Sequence, residues 1–159
     1  LLEGNCHVVC LTNGDNPLRR LEFIESCTKM KASCEIFSYK DEWGGGFSTG
    51  VMSHLEELIK DGDFGDVVTH NMYGDYGHTQ HAAIPGMLHK VVKKGLYVFD
   101  GEHKPHSALP FDMLLYKMHM LKTIYNSQYK LGTYDWYETG DENNRMINYI
   151  THERFLKVK

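Results

Sequence analysis

Short apolar runs alternate along this chain with longer stretches in which apolar residues recur every three or four positions. His7-Val8-Val9-Cys10-Leu11-Thr12 is nearly all apolar, as buried parallel strands are. Asn13-Gly14-Asp15-Asn16 reads as a turn, and Pro17 suits the first position of a helix. Leu18, Leu21, Ile24 and Cys27 then recur every three residues and predict one apolar helix face. Cys34–Tyr39 is a second expected strand, followed by the Gly-rich loop Trp43-Gly44-Gly45-Gly46. Ser48 or Thr49 is placed to cap a helix whose Val51, Leu55, Leu58 and Ile59 face inward. Asp66–His70 predicts a third strand, and Ile84, Leu88, Val91 and Val92 mark a helix delayed or bent by Pro85. Lys93, Lys94 and Gly95 are its stop signals, and Leu96–Asp100 is a fourth strand. Phe111, Leu114, Leu115, Met118, Leu121 and Tyr125 trace a long amphipathic helix, and a weak strand pattern lies near Tyr134–Tyr137.

Strands alternating with helices predict an α/β fold, a Rossmann-like and mostly parallel sheet with helices on both faces. At 159 residues the chain fits a single domain, spanning 1–159. The net charge of −4 gives no footprint for nucleic acid, and no apolar run is long enough to span a membrane. Cys6, Cys10, Cys27 and Cys34 lie in or beside apolar segments without CxxC spacing, which predicts buried thiols in a reducing, cytoplasmic setting.

Ligands of open α/β sheets bind beyond the carboxyl ends of the strands. The segments leaving those ends are 13–16, 40–41, 71–81 and 101–106, and the third is densest in reactive groups. Within it stands Gly74-Asp75-Tyr76-Gly77-His78-Thr79-Gln80-His81. Two histidines three apart at a loop-to-helix junction can serve one cleft, one holding a divalent metal and the other working as acid or base beside it. His103-Lys104-Pro105-His106 repeats the spacing, but it reads better as an exposed Pro-containing loop, its strand-end place leaving a role at the site's rim open.

From residue 1 to about residue 130 the order of features resembles the LmbE-like (PIG-L) family of zinc-dependent deacetylases. Leu11-Thr12-Asn13-Gly14-Asp15 resembles the family's L-T-N-G-(D/E) turn, and Arg19-Arg20-Leu21-Glu22 its R-x-x-E. Gly74 to His81 resembles G-(E/G)-Y-G-H-P-D-H, with Thr79-Gln80 in place of Pro-Asp. Lys117 and then Tyr125-Asn126-Ser127-Gln128 resemble its K…Y-x-S-Q.

The resemblance implies that His81 binds zinc or another divalent metal, and that His78 stabilises or protonates the reaction intermediate. It implies that Tyr76 closes over the site and hydrogen-bonds the acyl oxygen, while Arg19 and Asp41 contact substrate. The implied reaction is hydrolysis by metal-activated water of an acetyl group from an N-acetylglucosamine-type (acetamido) substrate, small molecule or glycan. The family's H-P-D-D-E motif, which supplies a His and an Asp to zinc, has no counterpart in this sequence. The start at Leu1 resembles the end of the helix that follows that motif, so an N-terminally incomplete deacetylase domain is expected. The alternative is an inactive descendant that serves as a binding or structural protein.

Overall fold

The computed structural model describes residues 5–99, 108–128 and 155–159. The chain forms two compact units, one made of Leu1–Asp41 with Pro110–Asn143 and the other of Glu42–Leu109 with Asn144–Lys159. The fold is mixed α/β.

In the first unit β1 (His7–Thr12) pairs in parallel with β2 (Ser33–Tyr39), Val8 opposite Cys34 and Cys10 opposite Ile36. The crossover is α1 (Pro17–Lys29), entered through a turn whose residues are chosen for their backbone. Asn13 takes φ 66, a left-handed conformation that asparagine tolerates. Gly14 donates its N–H to the Phe37 carbonyl at 2.8 Å, so close that a Cβ would stand 2.8 Å from that oxygen. Asn16 caps α1, its Oδ1 accepting from the N–H groups of Leu18 and Arg19. Helix α5 (Phe111–Thr123) and the single turn α6 (Asn126–Gln128) complete the unit, whose buried apolar residues are Leu11, Phe23, Cys27, Met120 and Ile124.

The predicted face of α1 is corrected. Leu18, Leu21 and Ile24 line its exposed side, at 55%, 66% and 38% exposure, while Glu22, Phe23, Ser26 and Cys27 are buried. The reason is geometric. At roughly 100° per residue, a strict spacing of three turns backward by about 60° at each step, so Leu18 and Cys27 end on opposite sides.

In the second unit β3 (Val67–Thr69) pairs in parallel with β4 (Leu96–Phe99), and β4 pairs antiparallel with β5 (Phe155–Lys157). Helices α2 (Gly50–Asp61), α3 (Gly74–Gly77) and α4 (Thr79–Val91) belong to this unit. Val51, Leu55, Ile84, Leu88, Val92, Leu96 and Val98 form its core. Thr49 stands at the start of α2, but its side chain makes no capping bond. Pro85 lies inside α4, which begins at Thr79 and runs through it, rather than at its first turn.

The parallel pairs expected from strand–helix alternation are present, but among the described residues they fall in two sheets, β1-β2 and β3-β4-β5. Alternation dictates strand direction; it does not dictate which pairs are neighbours. No described helix is long and apolar enough to cross a membrane. The 103–106 histidine pair and the pattern near Tyr134–Tyr137 lie outside the described residues.

Candidate metal centre

The polar segment after β3 is built around one side chain, Asn71. Its Oδ1 accepts from the N–H groups of Tyr73 (2.9 Å) and Asp75 (3.0 Å), which bends the chain back. Its Nδ2 donates to the Phe99 carbonyl at 3.2 Å and ties the loop to β4. The loop then passes through Gly74 at φ 69 and Asp75 at φ 62. A left-handed non-glycine residue is uncommon, and such residues cluster at functional sites. The turn of α3 leads to His78 in extended conformation, from which α4 starts, so His81 lies in the first turn of that helix.

This path gathers His70, Asp75 and His81. Asp75 is buried, and its Oδ2 accepts from Nδ1 of His70 and from Nδ1 of His81 at 3.2 Å, while its Oδ1 accepts from the Asn71 N–H at 3.3 Å. The His70 and His81 rings stack at 3.8 Å and 14°, and His78 stacks on the other partner, His81, at 4.6 Å and 23°. Burial alone would raise the Asp75 carboxyl. The hydrogen bonds from His70 and His81 outweigh it and hold the group well below the usual carboxylate range, so it stays ionised.

The three residues can each offer one ligand atom, all within 4.8 Å of one another, and could hold a metal ion. Two imidazoles and a carboxylate are the donor set of many catalytic zinc sites, so the residues present fit such an ion. The histidine side chains are 31% and 24% exposed, which leaves the group approachable from solvent.

Of the residues predicted from sequence, His81 belongs to this group and His78 lies against it, buried, with Trp43 meeting its ring edge-to-face at 4.9 Å and 79°. The backbone of Tyr76 lies in α3; its side chain is outside the described residues. Arg19 and Asp41 belong to the first unit. There Asp41 accepts a hydrogen bond from Asn13 at 3.1 Å. Arg19 pairs with buried Glu22 at 2.7 Å and lies over the Tyr125 ring at 5.3 Å. Glu22 also accepts from the Ser127 N–H (2.8 Å) and hydroxyl (2.7 Å), so the R-x-x-E and Y-x-S-Q segments interlock.

Sequence reasoning missed His70 and Asp75 as candidate metal donors. His70 was legible only as the last residue of a strand. Asp75 was legible as part of the motif, but the left-handed backbone that aims it between two imidazoles has no signal in a single sequence.

Comparison with known proteins finds no matching family model and no matching solved structure. The chain is similar to an uncharacterized protein of Acanthamoeba polyphaga mimivirus, 29% identical over an alignment 173 positions long, covering 96% of this chain and 68% of that protein.

Proposed function

We propose that this protein is a metal-dependent hydrolase that removes an acetyl group from an acetamido substrate of the N-acetylglucosamine type. The observation that carries the reading is the His70–Asp75–His81 group, which joins the histidine singled out by the motif to two further donors. The ordered resemblance to LmbE-like deacetylases supports it, and a Rossmann-like arrangement of the elements is part of the proposal. The four cysteines are free thiols, which supports a reducing, cytoplasmic setting.

A divalent ion such as zinc, when bound, supplies Lewis acidity and lowers the pKa of water to near neutrality. His70, Asp75 and His81 would hold it. Without the ion, Asp75 accepts from Nδ1 of both imidazoles, which keeps the three donor groups together. His78, protonated, delivers a proton to the departing amine nitrogen, leaving acetate and a free amine. Tyr76 is assigned to the acyl oxygen by the resemblance alone.

Zinc titration calorimetry paired with acetate release from N-acetylglucosamine tests this. One zinc per chain is expected, lost in His81→Ala. His78→Ala should keep the zinc and lose about 10²–10⁴-fold in turnover. A chain that binds no divalent metal, or a His81→Ala variant that keeps full activity, sinks the assignment.

A further inference from the structure

The loop leaving β2 toward α2 is glycine-rich, and glycine-rich loops are ordinarily loose. This one is clamped. The Glu42 N–H donates to Gln80 Oε1 at 3.0 Å, Gln80 Nε2 donates to the Gly46 carbonyl at 3.4 Å, and Thr79 Oγ1 donates to the Gly45 carbonyl at 2.8 Å. Gly44, at φ 80, lets the loop double back between those anchors. Gln80 is 2% exposed, so the clamp is a buried part of the structure and not a surface accident. Its two side chains occupy the positions where the motif departs from Pro-Asp.

The clamp holds one large residue. Trp43 is 69% exposed while one of its edges or faces is fixed against His78, which stacks on the metal-ligand candidate His81. That exposure leaves at least one face of the indole to solvent. A large apolar surface held in water by hydrogen bonds, beside a cluster of catalytic type, is not explained by packing. Aromatic faces carry negative charge density, and the axial C–H bonds on one side of a pyranose ring present weakly positive hydrogens to it. Ligand sites commonly combine one such apolar wall with a few polar groups that orient the ligand.

We propose that Trp43 is a stacking platform for the apolar face of a pyranose ring, with Thr79 and Gln80 as its positioning residues. The substrate would then be an acetamido sugar and not an acyclic acetamide. The inference rests on the deacetylase reading for the location of the acetamido group, and on the exposed indole held beside His78 for the ring.

The test is ligand-observed NMR on the full chain with the methyl β-glycoside of N-acetylglucosamine. In the wild type, the axial ring protons on one face should shift upfield by ring current as the sugar binds. Trp43→Ala should abolish that shift and weaken binding about tenfold, and Trp43→Phe should restore most of both. Thr79→Ala with Gln80→Ala should reduce the shift while Trp43 is still present, which a merely structural tryptophan would not do. Unchanged affinity and shift in Trp43→Ala, or no binding of the sugar at all, overturns the platform. Ring-current shifts without acetate release would uphold the platform and defeat the deacetylase reading. Acetate release from the sugar with no dependence on Trp43 would do the reverse.

Discussion

Among the described residues each unit buries one carboxylate to the same degree, Glu22 and Asp75 both being 5% exposed, and each is held ionised by donors. The donors differ. Glu22 sits in ordinary helix and receives a guanidinium, a backbone N–H and a serine hydroxyl, none of which changes charge near neutral pH. Asp75 sits in left-handed backbone and receives two imidazoles, groups that exchange protons and bind metals. A buried carboxylate is therefore a lock or a site according to what faces it. The first fastens α6 to α1; the second stands in a group that could hold a metal ion.

The largest way to break the comparison is Glu22→Ala. Removing one partner of a buried charged network typically costs about 3–5 kcal/mol, so urea denaturation should lose that much stability with zinc affinity unchanged. Zinc binding that falls with Glu22 would mean the first cluster is no mere lock. Asp75→Asn should act on both properties. It keeps a residue tolerant of φ 62 and removes the charge, so zinc affinity should drop about 100-fold, and the metal-free protein should also melt earlier because two imidazoles lose their carboxylate. Zinc affinity that holds in Asp75→Asn would erase the distinction.

The pH response of stability is a smaller effect with a definite sign. Burial pushes the Glu22 carboxyl up, but the hydrogen bonds from Ser127 and Arg19 more than offset it and leave the group below its ordinary value of 4.5. A depressed folded-state value contributes stability that is present above the unfolded value and is lost as pH falls through the folded one. Denaturation midpoints should therefore fall below about pH 4.5, and fall less in Glu22→Gln. The smallest effect sharpens the reading of α1. Leu21→Lys, on the exposed side, should change stability by within about 0.5 kcal/mol, whereas Phe23→Ala should cost about 3 kcal/mol or more.

Strand positions and helix positions could be read from residue pattern because each rests on local chemistry. The parallel pairing of β1 with β2 and of β3 with β4 follows the alternation of elements. The inward face of α1 was misread because three-residue spacing and helical rotation drift apart over nine residues. The grouping of strands into two sheets was not legible, because pairing depends on long-range partners that no local pattern names. At the site, His78 and His81 announce themselves by spacing, while His70 and Asp75 join them only through the Asn71-centred turn.

Cys27, buried at the end of α1, has the Cys34 thiol of β2 as a neighbour, and burial with that neighbour pushes its pKa up to about 12. At pH 8 only about one such thiol in 10⁴ is the nucleophilic thiolate. An alkylating reagent therefore reaches it chiefly when the first unit opens and the thiol regains its ordinary acidity. Its labelling rate is a clock for that opening, readable by mass alone. Read with and without zinc, the clock reports whether loading the second unit is felt in the first.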